Sequence, residues 1–301
     1  MKKLPVFLLL TFMVLSASAQ KTDKRLTAVL APLLASFHGQ AGIYVHHLKK
    51  DRVVAINADT TFPTASMIKT AIQVGIFDKL AKGELKYGQP LVYRDSLLYQ
   101  GEDILGSFRD NEQVALDKVV MLMLTMSDNT ASLWLQSLAG GGLVINQWLE
   151  AHGFEHLRVN SRTKGREANR AEYGWGQTSP REMARLMEMI YKGEVISAAA
   201  SERMYRNLTR NYWDGQGLTQ VPPNVRTASK NGAVDESRSE VIMVNAPHGD
   251  YVYCIITKNN KDQGWNQDNE AWQLLRKVGF AIWQHYEPDS QWKPDPALGQ
   301  F

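Results

Sequence analysis

A serine and a lysine three residues apart can form a proton-transfer pair. On a helix such residues lie on one face, and a neutral lysine can accept a serine proton when burial or nearby positive charge lowers its pKa. The pattern S-x-x-K occurs at Ser18, Ser66, Ser161 and Ser290, whereas residue frequencies predict about one copy by chance. Of these, the copy at Ser66 opens a long apolar helical pattern, with Lys69 one turn in. Ser66 and Lys69 are the candidate nucleophile and base.

Two further polar motifs follow along the chain. Ser127-Asp128-Asn129 interrupts an apolar helical pattern, where polar groups are costly to bury unless they are hydrogen-bonded. Ser127 could relay a proton and Asn129 could hold an amide, or the triplet could join two helices by hydrogen bonds. Lys230-Asn231-Gly232 precedes a predicted hairpin, in a stretch that fits an edge strand. Each motif by itself is weak evidence for catalysis.

Taken together, the three motifs resemble in order and spacing those of the penicillin-recognising serine enzymes, especially the class A β-lactamases. The segment 178–183 also resembles the helix start that follows the Ω-loop in that family. The resemblance covers roughly residues 25–286. It implies an α+β fold of the β-lactamase/transpeptidase type. An antiparallel sheet flanked by terminal helices would pack against a mostly helical domain, with the site in the cleft.

The resemblance implies a role for each catalytic candidate. Ser66 would be the acylated nucleophile, and Lys69 would be its base or proton relay. Ser127 would donate a proton to the leaving nitrogen. Lys230 would tune Ser127 and attract the carboxylate of the substrate. No metal or cofactor is expected, because the sequence contains no H-E-x-x-H, no C-x-x-C and no phosphate-binding glycine loop.

The substrate-binding residues follow from the same resemblance. Asn129 would hold the side-chain amide of the substrate, and the backbone N–H groups of Ser66 and Ala233 would form the oxyanion hole. Arg238 stands where the family keeps an arginine for the substrate carboxylate. Asn231 replaces the usual Thr or Ser hydroxyl; its amide can still donate to a carboxylate, but it is larger and changes the fit.

The Ω-loop departs further from the family pattern. Class A β-lactamases use an Ω-loop glutamate to activate the deacylating water, with an asparagine four residues later. In this sequence the position that corresponds to that glutamate falls near Thr163, and the position that corresponds to the asparagine falls on Glu167. Glu167 is the predicted deacylation base, and Glu172 is the second choice. Arg162, Lys164, Arg166 and Arg170 make the loop strongly basic.

The element pattern places strands at both ends of the chain around a helical middle, which favours an α+β fold. We predict a sheet domain from residues 20–62 and 210–301 and a helical domain from residues 63–209. Periodicity predicts one continuous helix over residues 116–138 and another from Ser66 to Leu80. Residues 159–179 show no period and are predicted to form a long Ω-loop.

The first residues have the composition of an export signal. Lys2 and Lys3 precede an apolar run over residues 4–15, and Ala17-Ser18-Ala19 offers a small-residue cleavage site. We expect cleavage near Ala19 and a periplasmic or secreted protein that has no membrane segment in its mature form. The chain has 34 basic and 31 acidic residues. This near balance is no argument for binding nucleic acid, and we expect a monomer that acts on a small-molecule substrate.

Three functions fit the sequence. The first is a secreted β-lactamase that hydrolyses the lactam through an acyl-enzyme on Ser66. The second is a penicillin-binding-type peptidase or esterase that acts on peptidoglycan-like substrates and turns lactams over slowly. The third is a non-catalytic binding protein that keeps the fold, against which the complete set of motifs argues. The Ω-loop separates the first two.

Overall fold

The computed structural model describes residues 20–295, so the predicted signal segment 1–19 lies outside the described residues. The described chain combines a large sheet with many helices, as the predicted α+β class requires. Its α-helices are α1 (Lys24–Ala35), α2 (Lys69–Ala81), α3 (Leu116–Thr125), α4 (Asn129–Leu138), α5 (Gly141–Ala151), α6 (Glu167–Tyr173), α7 (Pro180–Lys192), α8 (Ala198–Leu208) and α9 (Glu270–Tyr286). Short 3₁₀ helices occupy Ala65–Ile68, Asp95–Leu97, Leu105–Ser107 and Gly217–Gln220.

The main sheet has six strands drawn from both ends of the chain. The strands of the described region are β1 (Lys21–Thr22), β2 (Gln40–His47), β3 (Arg52–Ile56), β4 (Phe62–Pro63), β5 (Pro90–Val92), β6 (Gln113–Ala115), β7 (Arg158–Val159), β8 (Gly176–Thr178), β9 (Thr227–Val234), β10 (Ser237–Val244) and β11 (Tyr251–Lys258). The order in the main sheet is β1-β3-β2-β11-β10-β9, so β9 is an edge strand. Its pairs are antiparallel except for the short parallel pair of β1 with β3.

Both faces of the main sheet are covered, because its central strands carry apolar residues on both sides. Val241 and Met243 of β10 pack into the core on the side of the helical region, whereas Ile242 and Val244 pack on the opposite side. This alternation follows from the two-residue period of a strand. Helix α7 covers the first face, and the terminal helices α1 and α9 cover the second.

Two features differ from the sequence prediction. The predicted continuous helix 116–138 is broken into α3 and α4, because Ser127 has a left-handed backbone with φ of 60°. Residues 159–179 are not an irregular loop throughout: they carry the helix α6 and the strand β8, which pairs with β4 and β7. Helix α8 was not predicted from the sequence. Within residues 20–295, no helix has the length and apolar character needed to cross a membrane.

Candidate active site

Ser66 lies in the 3₁₀ turn that leads into α2. The residue before it, Ala65, has a φ of 43°, a left-handed conformation that non-glycine residues seldom adopt. Met67 and Ile68, which follow Ser66, are fully buried and anchor the turn in the core. The Ser66 side chain is partly exposed and lines two cavities. A reactive hydroxyl is therefore held by a rigid turn at the surface of a cleft.

Lys69 is buried directly beneath that hydroxyl. Its Nζ lies 3.0 Å from Ser66 Oγ, 3.1 Å from Ser127 Oγ and 2.9 Å from Asn129 Oδ1, and it also donates to the Ser127 carbonyl. Burial, and next the charge of Lys230, lower the pKa of Lys69 well below its usual value. A lysine kept neutral in this way can accept the Ser66 proton.

The break between α3 and α4 sets the positions of Ser127 and Asn129. Asp128 is buried and caps α4 by accepting the Ala131 N–H at 2.7 Å. Its other oxygen accepts the N–H groups of Ile104 and Leu105 at 2.7 and 3.0 Å. The carboxylate fixes the left-handed turn that aims Ser127 at Lys69. Asp128 has no role among the predictions from the sequence, although a capping residue before a helix is a recognisable signal.

The edge strand β9 forms the opposite wall. Lys230 is fully buried, and its Nζ donates to the Asn231 carbonyl and side-chain oxygen, both at 3.0 Å. Burial lowers the pKa of Lys230 to about 7. Gly232 packs against the nucleophile turn so closely that a Cβ there would lie 2.3 Å from the Thr64 carbonyl oxygen and 2.9 Å from Ser66 N. Ser66, Asn231 and Ala233 consequently line one cavity of about 1330 Å³.

The prediction for Arg238 is contradicted by the strand register. Ser239 pairs with Gly232 and faces the nucleophile turn, with its Oγ 3.2 Å from the Thr64 carbonyl oxygen. Arg238, one residue earlier, therefore points to the opposite face of the sheet. It is fully buried and donates to the carbonyls of Val234, Asp235, Ser237 and Gly264. The guanidinium stabilises the β9–β10 turn and is not available to a substrate carboxylate.

The structure also places Glu167 away from the nucleophile. Glu167 begins α6 and accepts the Gly165 N–H at 3.0 Å. Backbone N–H groups lower the pKa of this exposed carboxyl. Neither of the two cavities that Ser66 lines includes Glu167. The seven-residue helix α6 carries Glu167 at its start, away from the cleft, so the predicted deacylation base is a helix-terminus carboxylate.

The Ω-loop reaches the cleft through the segment from Glu172 to Trp175. Glu172 is exposed and lines the smaller cavity of about 460 Å³ together with Ser66, Asn129 and Trp175. The Trp175 ring centroid lies 5.9 Å from Lys69 Nζ. An aromatic ring therefore faces Lys69 from the Ω-loop side. Among the predictions from the sequence, Glu172 is second to Glu167 as the deacylation base, and Trp175 has no role.

The base of the Ω-loop is held by amides and one arginine. Arg166 donates to Asn160 Oδ1 at 3.0 Å and to Gln177 Oε1 at 2.7 Å, and Asn169 donates to the same Gln177 oxygen at 3.0 Å.

Within residues 20–295, no group of three or more His, Cys, Asp or Glu side chains is placed to hold a metal ion. The hydroxyl, amine and amide groups gathered around Ser66 are suited to proton transfer and nucleophilic attack.

The sequence is similar to those of several known proteins. Residues 22–286 match the model of the β-lactamase enzyme family. β-Lactamase VEB-1 of Pseudomonas aeruginosa is 20% identical over 299 residues, which cover 95% of this chain and 98% of that protein. A β-lactamase of Streptomyces fradiae is 26% identical over 231 residues, which cover 75% of each chain.

Solved structures superpose over most of the chain. A variant of PBP-A, captured as an acyl-enzyme complex with penicillin G, has a TM-score of 0.79 at 26% identity and covers 89% of this chain and 98% of its own. The β-lactamase from Sphaerobacter thermophilus has a TM-score of 0.77 at 22% identity, covering 87% and 97%. These likenesses confirm the predicted β-lactamase/transpeptidase-like fold.

Proposed function

The chain belongs to the β-lactamase enzyme family, and from that premise we propose that it is a serine hydrolase that opens β-lactam rings by acylating Ser66 and releases the acyl group slowly. Its own substrates would then be peptide or ester acyl donors of the kind that penicillin-binding enzymes use. The observation that carries the proposal is the environment of Lys69. Its Nζ contacts the side chains of Ser66, Ser127 and Asn129, which acylation would use. The Trp175 ring lies on its Ω-loop side.

The side chains that would carry out acylation lie within hydrogen-bonding distance of Lys69. Ser66 Oγ attacks the lactam carbonyl carbon while its proton passes to Lys69 Nζ, 3.0 Å away. The N–H groups of Ser66 and Ala233 stabilise the oxyanion. As the C–N bond breaks, Ser127 gives its proton to the leaving nitrogen and regains one from Lys69, whose Nζ lies 3.1 Å from Ser127 Oγ. Lys230, nearby and partly charged, attracts an anionic substrate.

Deacylation is the step that lacks a built site. A water must lose a proton as it attacks the ester, and a carboxylate within one water of the carbonyl normally accepts that proton. Lys69 Nζ contacts Ser and Asn oxygens, and the Trp175 ring lies on the Ω-loop side of it. Two carboxylates, Glu102 and Glu172, line the cavities that Ser66 lines. Within the described residues neither is hydrogen-bonded to Ser66, Lys69 or Ser127, so the acyl-enzyme is expected to persist, with Lys69 as the base.

A second candidate function is an efficient β-lactamase with Glu172 as the deacylation base. One observation favours it: Glu172 lines the same cavity as Ser66 and Asn129. Both functions share acylation and differ only in the lifetime of the adduct. The export signal predicted for residues 1–19 is compatible with either function, and we propose a periplasmic or secreted monomer that needs no cofactor.

Intact-mass spectrometry over time tests the proposal. The mature protein is mixed with penicillin G or a chromogenic cephalosporin, and the adduct is followed after removal of free drug. A mass increase of one penicillin that persists for minutes to hours supports slow release. A transient adduct with rapid lactam loss supports the β-lactamase. Absence of any adduct refutes both and favours the non-catalytic binding protein.

A further inference from the structure

Gln20, the first residue that the structure describes, is held against the main sheet by its side chain. Its Oε1 accepts a hydrogen bond from the Tyr44 hydroxyl at 2.9 Å, and its Nε2 lies 3.5 Å from His46 Nε2. The residue as a whole is exposed. The predicted export signal ends at Ala19, so cleavage there would leave Gln20 with a free α-amine.

A glutamine with a free α-amine can react with itself. The α-amino nitrogen attacks the side-chain carbonyl carbon Cδ, the bond between Cδ and Nε2 breaks, and ammonia leaves. The product is a five-membered lactam, pyroglutamate, which keeps Oε1. The attacking nitrogen gives up one proton and the leaving nitrogen takes up one, so the step balances without another reactant. It is favoured by a donor at Oε1, an acid at Nε2 and a restrained main chain.

Tyr44 is placed to stabilise the negative charge that develops on Oε1 of Gln20. Its side chain is buried on β2, and burial raises the pKa of the phenol, so the hydroxyl keeps its proton. The Arg181 guanidinium lies 4.7 Å from the centroid of the Tyr44 ring and orients it. A preorganised donor on the reacting oxygen is the arrangement that stabilises an oxyanion.

His46 is placed to protonate the leaving nitrogen. Its Nδ1 lies 2.8 Å from Glu188 Oε2, and its Nε2 lies 3.1 Å from Asp51 Oδ1. Because both ring nitrogens face carboxylates, the ring satisfies both by carrying two protons. Burial opposes this charge, but the hydrogen bonds and charges of Glu188 and Asp51 raise the pKa of His46 above its usual value. The Nε2–H group of His46 is therefore a candidate general acid beside Gln20 Nε2.

The strand that follows Gln20 restrains the main chain next to the α-amine. The Lys21 N–H donates to the Asp51 carbonyl at 3.2 Å, and β1 pairs with β3 through Lys21 and Arg52. The main chain beside Gln20 and the end of its side chain are thus both attached to the main sheet. Holding reacting groups together in this way lowers the entropic part of a barrier.

We propose that the folded chain closes its own N-terminal Gln20 into pyroglutamate, with Tyr44 as the donor to Oε1 and His46 as the acid. The product lacks the α-ammonium group that an aminopeptidase recognises. The inference rests on cleavage after Ala19. It is independent of the proposed function, because Gln20, Tyr44 and His46 line neither of the cavities that Ser66 lines.

Loss of ammonia from the purified chain tests this inference. A site-specific protease exposes Gln20 in a tagged precursor, and mass spectrometry follows the N-terminal peptide over time. The folded chain should cyclise at least about tenfold faster than a synthetic peptide of residues 20–26, a gain below the roughly 10²–10⁴-fold of a well-placed general acid. Tyr44→Phe and His46→Asn should each lose most of this gain. Tyr212→Phe, at a tyrosine that is 61% exposed, is the matched control and should keep it.

Several results would overturn the inference. N-terminal analysis of the exported chain decides whether cleavage leaves Gln20 first, and a different first residue contradicts the proposal. Equal rates for the folded chain and the peptide would show that the fold does not promote the reaction. Ammonia loss that continues in Gln20→Ala would assign it to another residue. Thermal melting verifies that each variant is folded. If His46→Asn unfolds, Tyr44→Phe decides alone, and its cyclising at the wild-type rate refutes the proposed site.

Discussion

The two walls of the cleft around Ser66 differ in the groups that they direct at Lys69. On the side of α2 and α4, Lys69 is surrounded by Ser66, Ser127 and Asn129 at 2.9–3.1 Å, and Asp128 fixes the turn. On the Ω-loop side, the group that faces Lys69 is the Trp175 ring, and the acidic residue that begins α6 points elsewhere. In the proposed mechanism, the two half-reactions of the serine hydrolase therefore depend on separate parts of the fold.

The physical basis of this difference is local. The first wall is assembled by buried helix ends, where every polar group needs a partner and few arrangements satisfy all of them. The Ω-loop is instead held at its base by the hydrogen bonds of Arg166 to Asn160 and Gln177. These bonds do not fix the side chains of the loop residues that lie closer to the cleft. Under the proposed function, acylation would therefore depend on groups fixed by the core, and deacylation would depend on which loop residue reaches the cleft.

Removal of the nucleophile should give the largest effect. Ser66→Ala is expected to abolish the penicillin adduct, since acylation by the nucleophile contributes many orders of magnitude. Intact-mass spectrometry measures the adduct. Ser290→Ala, another S-x-x-K serine, should acylate as the wild type does. An adduct on the Ser66→Ala protein would show that another serine is the nucleophile.

Loss of Lys230 should slow acylation by about a hundredfold, as for one preorganised electrostatic group. Its pKa of about 7 predicts the sign of the pH dependence. The ammonium is charged below that pH, so the acylation rate with a carboxylated lactam should fall as the pH rises through about 7. Stopped-flow acylation of Lys230→Ala should be slow and lack this step. The exposed Lys118→Ala is the control, and a step that survives in Lys230→Ala contradicts the assignment.

A carboxylate introduced on the Ω-loop side of Lys69 should supply a general base for deacylation. Trp175→Glu is expected to shorten the lifetime of the penicillin adduct by about tenfold, less than the roughly 10²–10⁴-fold of a fully positioned general base. Trp175→Gln controls for the loss of the ring and should leave the lifetime long. If both variants release the acyl group equally fast, the lifetime depends on access of water and not on a missing base.

The two Ω-loop glutamates should give the smallest effects. Glu167→Gln should leave both acylation and release unchanged, because this carboxylate accepts a backbone N–H outside the cleft. Glu172→Gln should change the adduct lifetime by less than about threefold, well below the contribution of a general base. A tenfold or longer lifetime in Glu172→Gln alone would instead identify Glu172 as the base and favour the β-lactamase.

Sequence patterns fixed by local physics were predictable. The strand pattern of β10 and β11 and the proline at the start of α7 follow from short-range periodicity and helix-start rules, and both appear in the structure. The resemblance of the three motifs also led to the family that the whole-chain match later established. The pairing of β9 as an edge strand was anticipated from its position before the hairpin.

Other features could be decided only by tertiary structure. The strand register, not the sequence position, turned Arg238 away from the cleft and placed its guanidinium at the β9–β10 turn. The left-handed turn at Ser127 broke a helix that periodicity alone would continue, because Asp128 bonds backbone groups more than twenty residues away. Motif residues and alternating strands are encoded by neighbours in the chain, whereas the direction of a side chain across a cleft depends on contacts between distant segments. The sequence by itself therefore determined the candidate acylating groups, and the packing of the Ω-loop determined what faces them.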